Sequence, residues 1–159
     1  MNEVATQMFR KYDTLPSNAF TKSGVGVIIL NSSSEILFEL RSDCALWGLI
    51  GGKIDPGESV TEALHREIKE ETGLEIEILY FLGIYSEPGE RIVTYPDNGD
   101  VAQLIDSVFV GRAKSEELKI SHESLELKFF KASEIPKELV PPAKKPIEDY
   151  LKGLKNVIN

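Results

Sequence analysis

The sequence predicts an α/β (α+β) fold in which a mixed β-sheet packs between helices. Runs rich in aliphatic and aromatic residues, typical of strands, recur along most of the chain. One stretch, 59–72, has the periodicity and the end signals of a helix, and a second helical pattern lies near the carboxyl end. Most of the predicted elements are strands, and helices are inserted among them along the chain. This order favours an architecture in which helices are layered on a sheet.

The composition is that of one globular domain covering residues 1–159. Hydrophobic residues make up 42% of the chain, charged residues 28%, and the formal net charge is −8. An acidic chain is a poor candidate for binding duplex nucleic acid, which calls for a basic face. It can still bind phosphorylated small molecules through divalent cations.

The sequence gives no sign of a membrane or secreted protein. No apolar run reaches the length of a transmembrane helix, and no signal-peptide pattern opens the chain. The single cysteine, Cys44, cannot form an internal disulfide. We therefore expect a cytoplasmic protein with no membrane partner.

The first half of the chain is expected to contain an arm, a hairpin and a glycine-rich turn. Residues 1–20 are predicted to form a short helix or arm. The apolar runs 24–30 and 35–40 are predicted to pair as a buried hairpin. The segment 46–57, rich in glycine, is predicted to be the end of a strand followed by a long turn.

The clearest helix covers 59–72. Ser59 and Glu62 form an S-x-x-E capping box at its start, and Gly73 is well placed to end it. Three further strands are predicted from apolar or alternating runs at 75–84, 101–110 and 125–130. Between the first two lies a long loop, 86–100, and the region 143–159 is predicted to hold a closing helix at 147–157.

Three glutamates, Glu67, Glu70 and Glu71, occupy the last turns of the central helix. Successive residues are about 100° apart around a helix. With Glu67 at 0°, Glu71 falls at about 40°, within the apolar stripe at about 20–100° that contains Val60, Leu64 and Ile68. A solvated glutamate should lie opposite this stripe, as Glu62 does, so an ordinary solvent-exposed acidic face is a poor explanation.

This placement needs a compensating cation. Like charges four residues apart, such as Glu67 and Glu71, repel by a few tenths of a kcal/mol, and the carboxyl end of a helix disfavours anions by roughly 0.3–1 kcal/mol. Desolvating an unpaired carboxylate costs far more. We do not expect one guanidinium, that of Arg66, to neutralise three acids. A hard divalent cation with oxygen ligands can, so the sequence predicts a metal site.

The stretch from 52 to 74 resembles the signature of the Nudix hydrolases, the MutT-like family, and is called the box below. All nine fixed positions of that signature are filled without substitution, by Gly52, Glu58, Arg66, Glu67, Ile68, Glu70, Glu71, Gly73 and Leu74. Weaker similarity extends to Arg41 and to 125–136. One departure is Ile50, where relatives often have proline before the Gly-Gly pair.

The resemblance implies an α/β/α sandwich with a loop–helix–loop catalytic motif. It also implies hydrolysis of a nucleoside diphosphate linked to another moiety, assisted by Mg²⁺ or Mn²⁺. The metal ligands would be Glu67, Glu70 and Glu71, joined by the Gly51 carbonyl. Arg66 would hold a glutamate in its working conformation. Gly52 and Gly57 would let the loop turn closely around Glu58, which would brace the loop or bind metal through water, and Gly73 would end the helix.

A base for the attacking water is expected on a downstream loop. Glu123 is the first candidate and Glu126 the second, and in some relatives the box residue Glu67 is a possible base. The competing interpretation of Glu123 is an ordinary exposed loop acid. Candidates for contacting the substrate are Arg41 and three residues that flank or belong to the long 86–100 loop: Tyr85, Arg91 and Tyr95.

The expected substrate class is a nucleoside diphosphate sugar such as ADP-ribose, with nucleoside triphosphates, including oxidised ones, second. Relatives that cleave ADP-sugars have a proline about 15 residues after the box, and Pro88 lies near that offset. The main alternative is a catalytically silent module of the same fold that senses a nucleotide. A third is a structural protein with a solvated acidic helix. A homodimer is compatible with the resemblance, since relatives often pair.

Overall fold

The computed structural model describes all residues 1–159 and contains four α-helices and nine strands. The helices are α1 (Glu3–Met8), α2 (Val60–Thr72), α3 (Pro88–Arg91) and α4 (Pro141–Leu151), with one 3₁₀ turn at Ala132–Glu134. The strands are β1 (Phe20–Leu30), β2 (Ile36–Arg41), β3 (Trp47–Gly48), β4 (Ile50–Lys53), β5 (Ile76–Tyr85), β6 (Ile92–Thr94), β7 (Val101–Ala113), β8 (Ser124–Phe130) and β9 (Val157–Ile158).

All strands belong to one mixed sheet, as the sequence predicts. Its main order is β3-β2-β1-β7-β5-β9, while β4 pairs with β1, β6 with β7 and β8 with β2. The long central pair, β1 and β7, is parallel, and so is the pair β5 and β9. The other pairs are antiparallel. Strands β2 and β8 therefore lie on one side of β1, and β6 and β7 on the other.

The sheet has a core on each face. Alternate residues of β1 point to opposite faces. Val27 and Ile29 pack in the core that contains Leu64 and Ile68 of α2, whereas Ile28 packs in the core formed with α1 and α4. Helices cover both faces, so the predicted α/β/α sandwich is confirmed.

Helix α2 begins and ends where its sequence signals place it. The Ser59 hydroxyl accepts a hydrogen bond from the Glu62 backbone N–H, and the Glu62 carboxylate accepts one from the Ser59 N–H at 2.8 Å. Gly73 ends the helix with φ of 73°, a left-handed conformation that glycine adopts without strain. Both ends of the helix that carries the three glutamates are thus fixed.

Two segments predicted as turns contain regular structure. Within 86–100, Pro88 opens the short helix α3, and Ile92–Thr94 form β6 against β7. Within 46–57, β3 and β4 form, and β4 lies opposite Gly24–Val27 of β1. In both cases pairing with a distant strand overrides local turn signals, because such pairing depends on tertiary context.

The closing helix lies earlier than predicted. Helix α4 runs over Pro141–Leu151, whereas 147–157 was the expected range. Pro141 and Pro142 occupy the first turn, where the missing N–H groups have no intrahelical partner anyway, so they start the helix instead of separating it. Val157–Ile158 then joins the sheet beside β5. None of the four helices combines the length and the apolar character that a membrane span requires.

Candidate active site

A cleft of about 630 Å³ runs along β1 and β4. This volume lies in the usual range for small-molecule sites. One part is acidic and polar, with the carboxyl-end glutamates of α2 and the glycines of β4. The other part is lined mainly by apolar side chains of α1, β6, β7 and α4. The cleft therefore offers a charged region and an apolar region that are continuous with one another.

The rotation of α2 puts its glutamates in different environments. Glu71 is only 5% exposed, in agreement with its predicted place inside the apolar stripe. The Glu67 side chain is 12% exposed and that of Glu70 is 61% exposed. All three line the cleft. The helix thus presents a graded set of carboxylates, from buried to solvated.

Arg66 organises most of the acidic side chains. It donates two hydrogen bonds to Glu58, at 2.6 and 2.9 Å, one to Glu67 at 2.8 Å and one to Glu70 at 3.3 Å. The planar fork of Arg66 thus reaches two of the three glutamates near the end of α2, Glu67 and Glu70, in addition to Glu58, in line with the expectation that one guanidinium does not neutralise all three. Glu71 is the box glutamate that Arg66 does not contact.

Glu58 links the loop before α2 to the helix itself. Besides Arg66, it accepts a hydrogen bond from the Asp55 backbone N–H at 3.0 Å, so it ties the loop before α2 to the helix. The hydrogen bonds from Arg66, and then that from Asp55, lower the pKa of Glu58 to about 2. A carboxylate that is ionised and fully engaged in this way is well suited to holding the loop.

Glu71 is the carboxylate with the least compensation. Its Oε2 accepts a hydrogen bond from the Gly51 backbone N–H at 3.1 Å. Burial, and then the negative charges of Glu39 and Glu67, raise its pKa from 4.5 to about 9, which the Gly51 N–H only partly opposes. Burial also raises the pKa of Glu67, against the effect of Arg66. Negative charge at this point of the cleft is therefore unfavourable without a further cation.

The glycines of β4 let the backbone approach these carboxylates. A Cβ on Gly52 would lie 2.4 Å from the Glu67 carboxyl group, so no larger residue fits there without moving Glu67. Gly51 similarly leaves no room, since a Cβ would lie 2.1 Å from the Val25 carbonyl oxygen. Gly57 lies in open space and has φ of 94°, which favours glycine in the loop.

The donor set fits a hard divalent cation. The glutamate oxygens and nearby backbone carbonyls are of the kind that Mg²⁺ and Mn²⁺ prefer, and Glu71 lacks a cationic partner. The side chains do not by themselves gather three metal-ligating groups around one point, and Arg66 holds Glu67 and Glu70 by hydrogen bonds. It is the N–H of Gly51 that contacts Glu71 here.

The loop that carries Glu123 is anchored beside the acidic region. The Ser42 backbone N–H donates to the Glu123 carbonyl at 2.8 Å, and the Ser124 hydroxyl donates to Glu39 at 2.6 Å. Glu123 lines the cleft, whereas Glu126, two residues into β8, does not. The geometry therefore places the first candidate base, and not the second, beside the box glutamates.

Glu39, which is buried, and Asp106, which is half-buried, are two acids that the sequence analysis did not select. Glu39 is 2% exposed and faces Ser124, close enough to Glu71 to affect its pKa. Asp106 lines the cleft and forms an ion pair with Arg91, which also donates to the Pro142 carbonyl at 2.7 Å. A charged residue inside an apolar strand run, as in ILFEL and LIDSV, is the signal that could have found both.

The predicted substrate contacts have different outcomes in the structure. Arg41, Arg91 and Tyr95 all line the cleft. Tyr85 does not; its side chain is fully buried and its hydroxyl donates to Asp149 at 3.1 Å. Successive side chains of a strand point to opposite faces of the sheet, and Tyr85 of β5 points into the core under α4. It is therefore unavailable to a ligand, and we remove it from the substrate-binding set.

Comparison with known proteins agrees with this geometry. The family model described as the NUDIX domain matches residues 21–150. The chain belongs to the Nudix family. The Nudix fold is also that of the MutT protein from Methanosarcina mazei Go1, whose crystal structure matches 87% of this chain and 98% of that one with a TM-score of 0.69 at 23% identity.

Two curated Nudix relatives are similar over most of their length. A Bacillus subtilis (strain 168) protein named "Putative 8-oxo-dGTP diphosphatase" is 35% identical over 134 residues, which is 84% of this chain and 83% of that protein. An ADP-ribose pyrophosphatase from Methanocaldococcus jannaschii is 35% identical over 127 residues, 78% of this chain and 70% of that protein. The chain is accordingly a Nudix pyrophosphohydrolase acting on phosphoanhydrides, and such relatives imply nucleotide-type substrates.

Substituting Glu71→Gln should change how the stability of the metal-free protein depends on pH. The pKa of Glu71 is higher in the folded state than the ordinary 4.5, so the folded state binds the extra proton, and the free energy of unfolding falls as pH rises from about 4.5 to about 9. Gln keeps an acceptor for the Gly51 N–H but does not ionise. In urea titrations with EDTA, Glu71→Gln should flatten the pH dependence and be more stable than the wild type at pH 8.

The exposed Glu75 provides the matched control, because Glu75→Gln removes one charge without touching the cleft. Its stability should follow the wild-type pH dependence. Parallel pH profiles for the wild type and Glu71→Gln would mean that Glu71 is not a buried, uncompensated acid.

Proposed function

We propose that this Nudix pyrophosphohydrolase hydrolyses a nucleoside diphosphate linked to a sugar, with ADP-ribose as the representative substrate. The observation that carries this proposal is the position of the acidic cluster within the cleft. Glu67, Glu70 and Glu71 lie between side chains from β2 and the β8 loop on one side and from β6 and β7 on the other. A diphosphate bound at the acids would leave a moiety on each side.

The two sides differ in chemistry, which suits two different moieties. On the β6 and β7 side the lining is largely apolar, with Tyr95 and Leu104, as a nucleoside requires. On the β2 side, Arg41 forms a bidentate ion pair with Asp43 at the cleft wall. Such a pair supplies both donors and acceptors for sugar hydroxyl groups. A nucleoside triphosphate has only a phosphate to place there.

In this proposal Glu67, Glu70 and Glu71 hold Mg²⁺ or Mn²⁺, with the Gly51 carbonyl as a further oxygen ligand. When bound, such a cation neutralises phosphoryl oxygens and lowers the pKa of a nearby water. Arg66 fixes the conformations of Glu67 and Glu70, and Glu58 fixes Arg66. Glu123 accepts the proton of the water that attacks the diphosphate.

Nucleoside triphosphates, including oxidised ones, form the second candidate substrate class. The Bacillus subtilis relative supports it by its name, and the Methanocaldococcus jannaschii relative supports ADP-ribose. Pro88 does not decide between them, because its local role is to start α3. The silent-sensor alternative is disfavoured by the complete set of box acids.

A substrate panel with product identification tests the proposal. With Mg²⁺, ADP-ribose should give AMP and ribose 5-phosphate, with kcat/KM at least about tenfold above those of dGTP and 8-oxo-dGTP, a difference of about 1.4 kcal/mol in transition-state stabilisation. EDTA should abolish the turnover. A preference for a triphosphate would move the assignment to the second class. Nucleotide binding without turnover would favour the sensor.

Replacing Glu123 should slow the chemical step. Loss of a general base reduces rates by about 10²–10⁴-fold, so Glu123→Gln should lower kcat by that range and leave KM nearly unchanged. The matched control is Glu126→Gln, an exposed acid three residues away that does not line the cleft. Equal activity of the two variants would show that Glu123 is an ordinary loop acid.

A further inference from the structure

The N-terminal arm, residues 1–12, precedes the segment that matches the family model, which begins at residue 21. It is nevertheless docked on the rest of the protein. Ala5 and Met8 of α1 are buried in the same core cluster as Val93 of β6. The arm is therefore a structured part of this chain that the shared domain does not account for.

Polar contacts fix the arm at both ends. The Asn2 side-chain amide donates to the Cys44 carbonyl at 2.9 Å, while its oxygen accepts from the Ala5 N–H at 2.8 Å and caps α1. At the other end, the hydroxyl groups of Tyr12 and Thr94 are hydrogen-bonded at 2.7 Å. The segment between these anchors is consequently held in a defined position against β6.

Two residues between the anchors, Met8 and Phe9, line the cleft. They belong to its apolar region, where Val93, Tyr95 and Leu104 pack in or against the same cluster. Met8 is almost fully buried, whereas Phe9 is half-buried and keeps part of its surface accessible. An accessible aromatic ring beside a thioether offers flat, polarizable surface to a planar ligand.

The same region also contains a carboxylate held by an ion pair. Asp106 forms an ion pair with Arg91, and Asp106 Oδ1 lies so close to Gly24 that a Cβ there would be 2.3 Å away. Arg91 is the protein donor to the Asp106 carboxylate, so Oδ1 has acceptor capacity left for a ligand. Lys22 also lines the cleft, and its amine donates to the Tyr95 hydroxyl at 2.8 Å. Largely apolar walls with an oriented acceptor match a heterocyclic base that carries amino or ring N–H donors.

We propose that Met8 and Phe9 of the N-terminal arm form a wall of the nucleobase subsite, with Phe9 stacking on the base. This inference rests on the proposed function, since it assigns the apolar region of the same cleft. A free phosphate would gain nothing from a phenyl ring and a thioether, and a base offers them a larger flat surface than a ribose does. The arm thus determines affinity for the base portion of the substrate and leaves hydrolysis to the box.

Phe9→Ala tests the proposal against a matched Phe→Ala control. Phe20, at the start of β1, is 45% exposed and does not line the cleft, so Phe20→Ala removes the same side chain elsewhere. Base–aromatic stacking lost on alanine substitution corresponds to roughly tenfold in affinity. Phe9→Ala should therefore raise KM for ADP-ribose about tenfold, with kcat within about twofold. Phe20→Ala should change neither.

A base-free substrate separates stacking from general damage. Hydrolysis of 5-phosphoribosyl 1-diphosphate, which has a sugar and a diphosphate but no base, should be the same in Phe9→Ala and the wild type. An equal loss on both substrates, or an unchanged KM for ADP-ribose, would overturn the proposal. If Phe9→Ala does not fold, Phe9→Leu keeps the apolar volume without the aromatic face, and should raise KM several-fold for ADP-ribose alone.

The proposal can be tested even if no compound in the panel is hydrolysed, a result that would count against the proposed function only. Calorimetry with AMP and with ribose 5-phosphate then supplies the readout. Phe9→Ala should weaken AMP binding about tenfold relative to Phe20→Ala and leave ribose 5-phosphate binding unchanged. AMP binding that is absent from the wild type, or equal in both variants, would contradict a base subsite at the arm.

Discussion

The organisation of this molecule depends on one electrostatic constraint, the concentration of carboxylates at the end of α2. Glu71 is 5% exposed and accepts one hydrogen bond, from Gly51, while Glu39 and Glu67 add negative charge nearby. Buried ionised groups need a partner of opposite charge. Arg66 satisfies Glu58, Glu67 and Glu70 but not Glu71. In our account the remaining charge is balanced by a divalent cation and, through it, by a diphosphate.

The rest of the fold holds the carboxylates of α2 close to one another and to the backbone of β4. The capping box and Gly73 fix the ends of α2, and Leu64 and Ile68 fix its rotation against the sheet. The glycines of β4 allow the backbone to lie against Glu67 and Glu71. Strand β4 pairs with β1, which together with β7 forms the central parallel pair of the sheet. Residues 22–26 of β1 also line the cleft, so the acids and the surface proposed to bind the base share one cleft.

Local signals in the sequence were sufficient for the box and its helix. The helical phase alone put Glu71 in the apolar stripe, and the structure buries it. Features that depend on long-range pairing were not accessible in this way. Tyr85 was predicted to flank a loop and contact the substrate, but its side chain points into the core and bonds Asp149. Strand β6 was predicted as loop, because only its pairing with the distant β7 makes it a strand. Met8 and Phe9 gave no signal at all, because nothing local indicates where an N-terminal arm docks.

Manganese located by anomalous scattering in crystals of the wild-type protein is the most direct test of the central claim. We expect one or more peaks within coordination distance of the carboxylate oxygens of Glu67 and Glu71, beside the Gly51 backbone, and loss of the peak at residue 71 in Glu71→Gln. Crystals that bind no manganese there, with Glu67 still hydrogen-bonded to Arg66 and Glu71 still in contact only with the Gly51 N–H, would contradict the account.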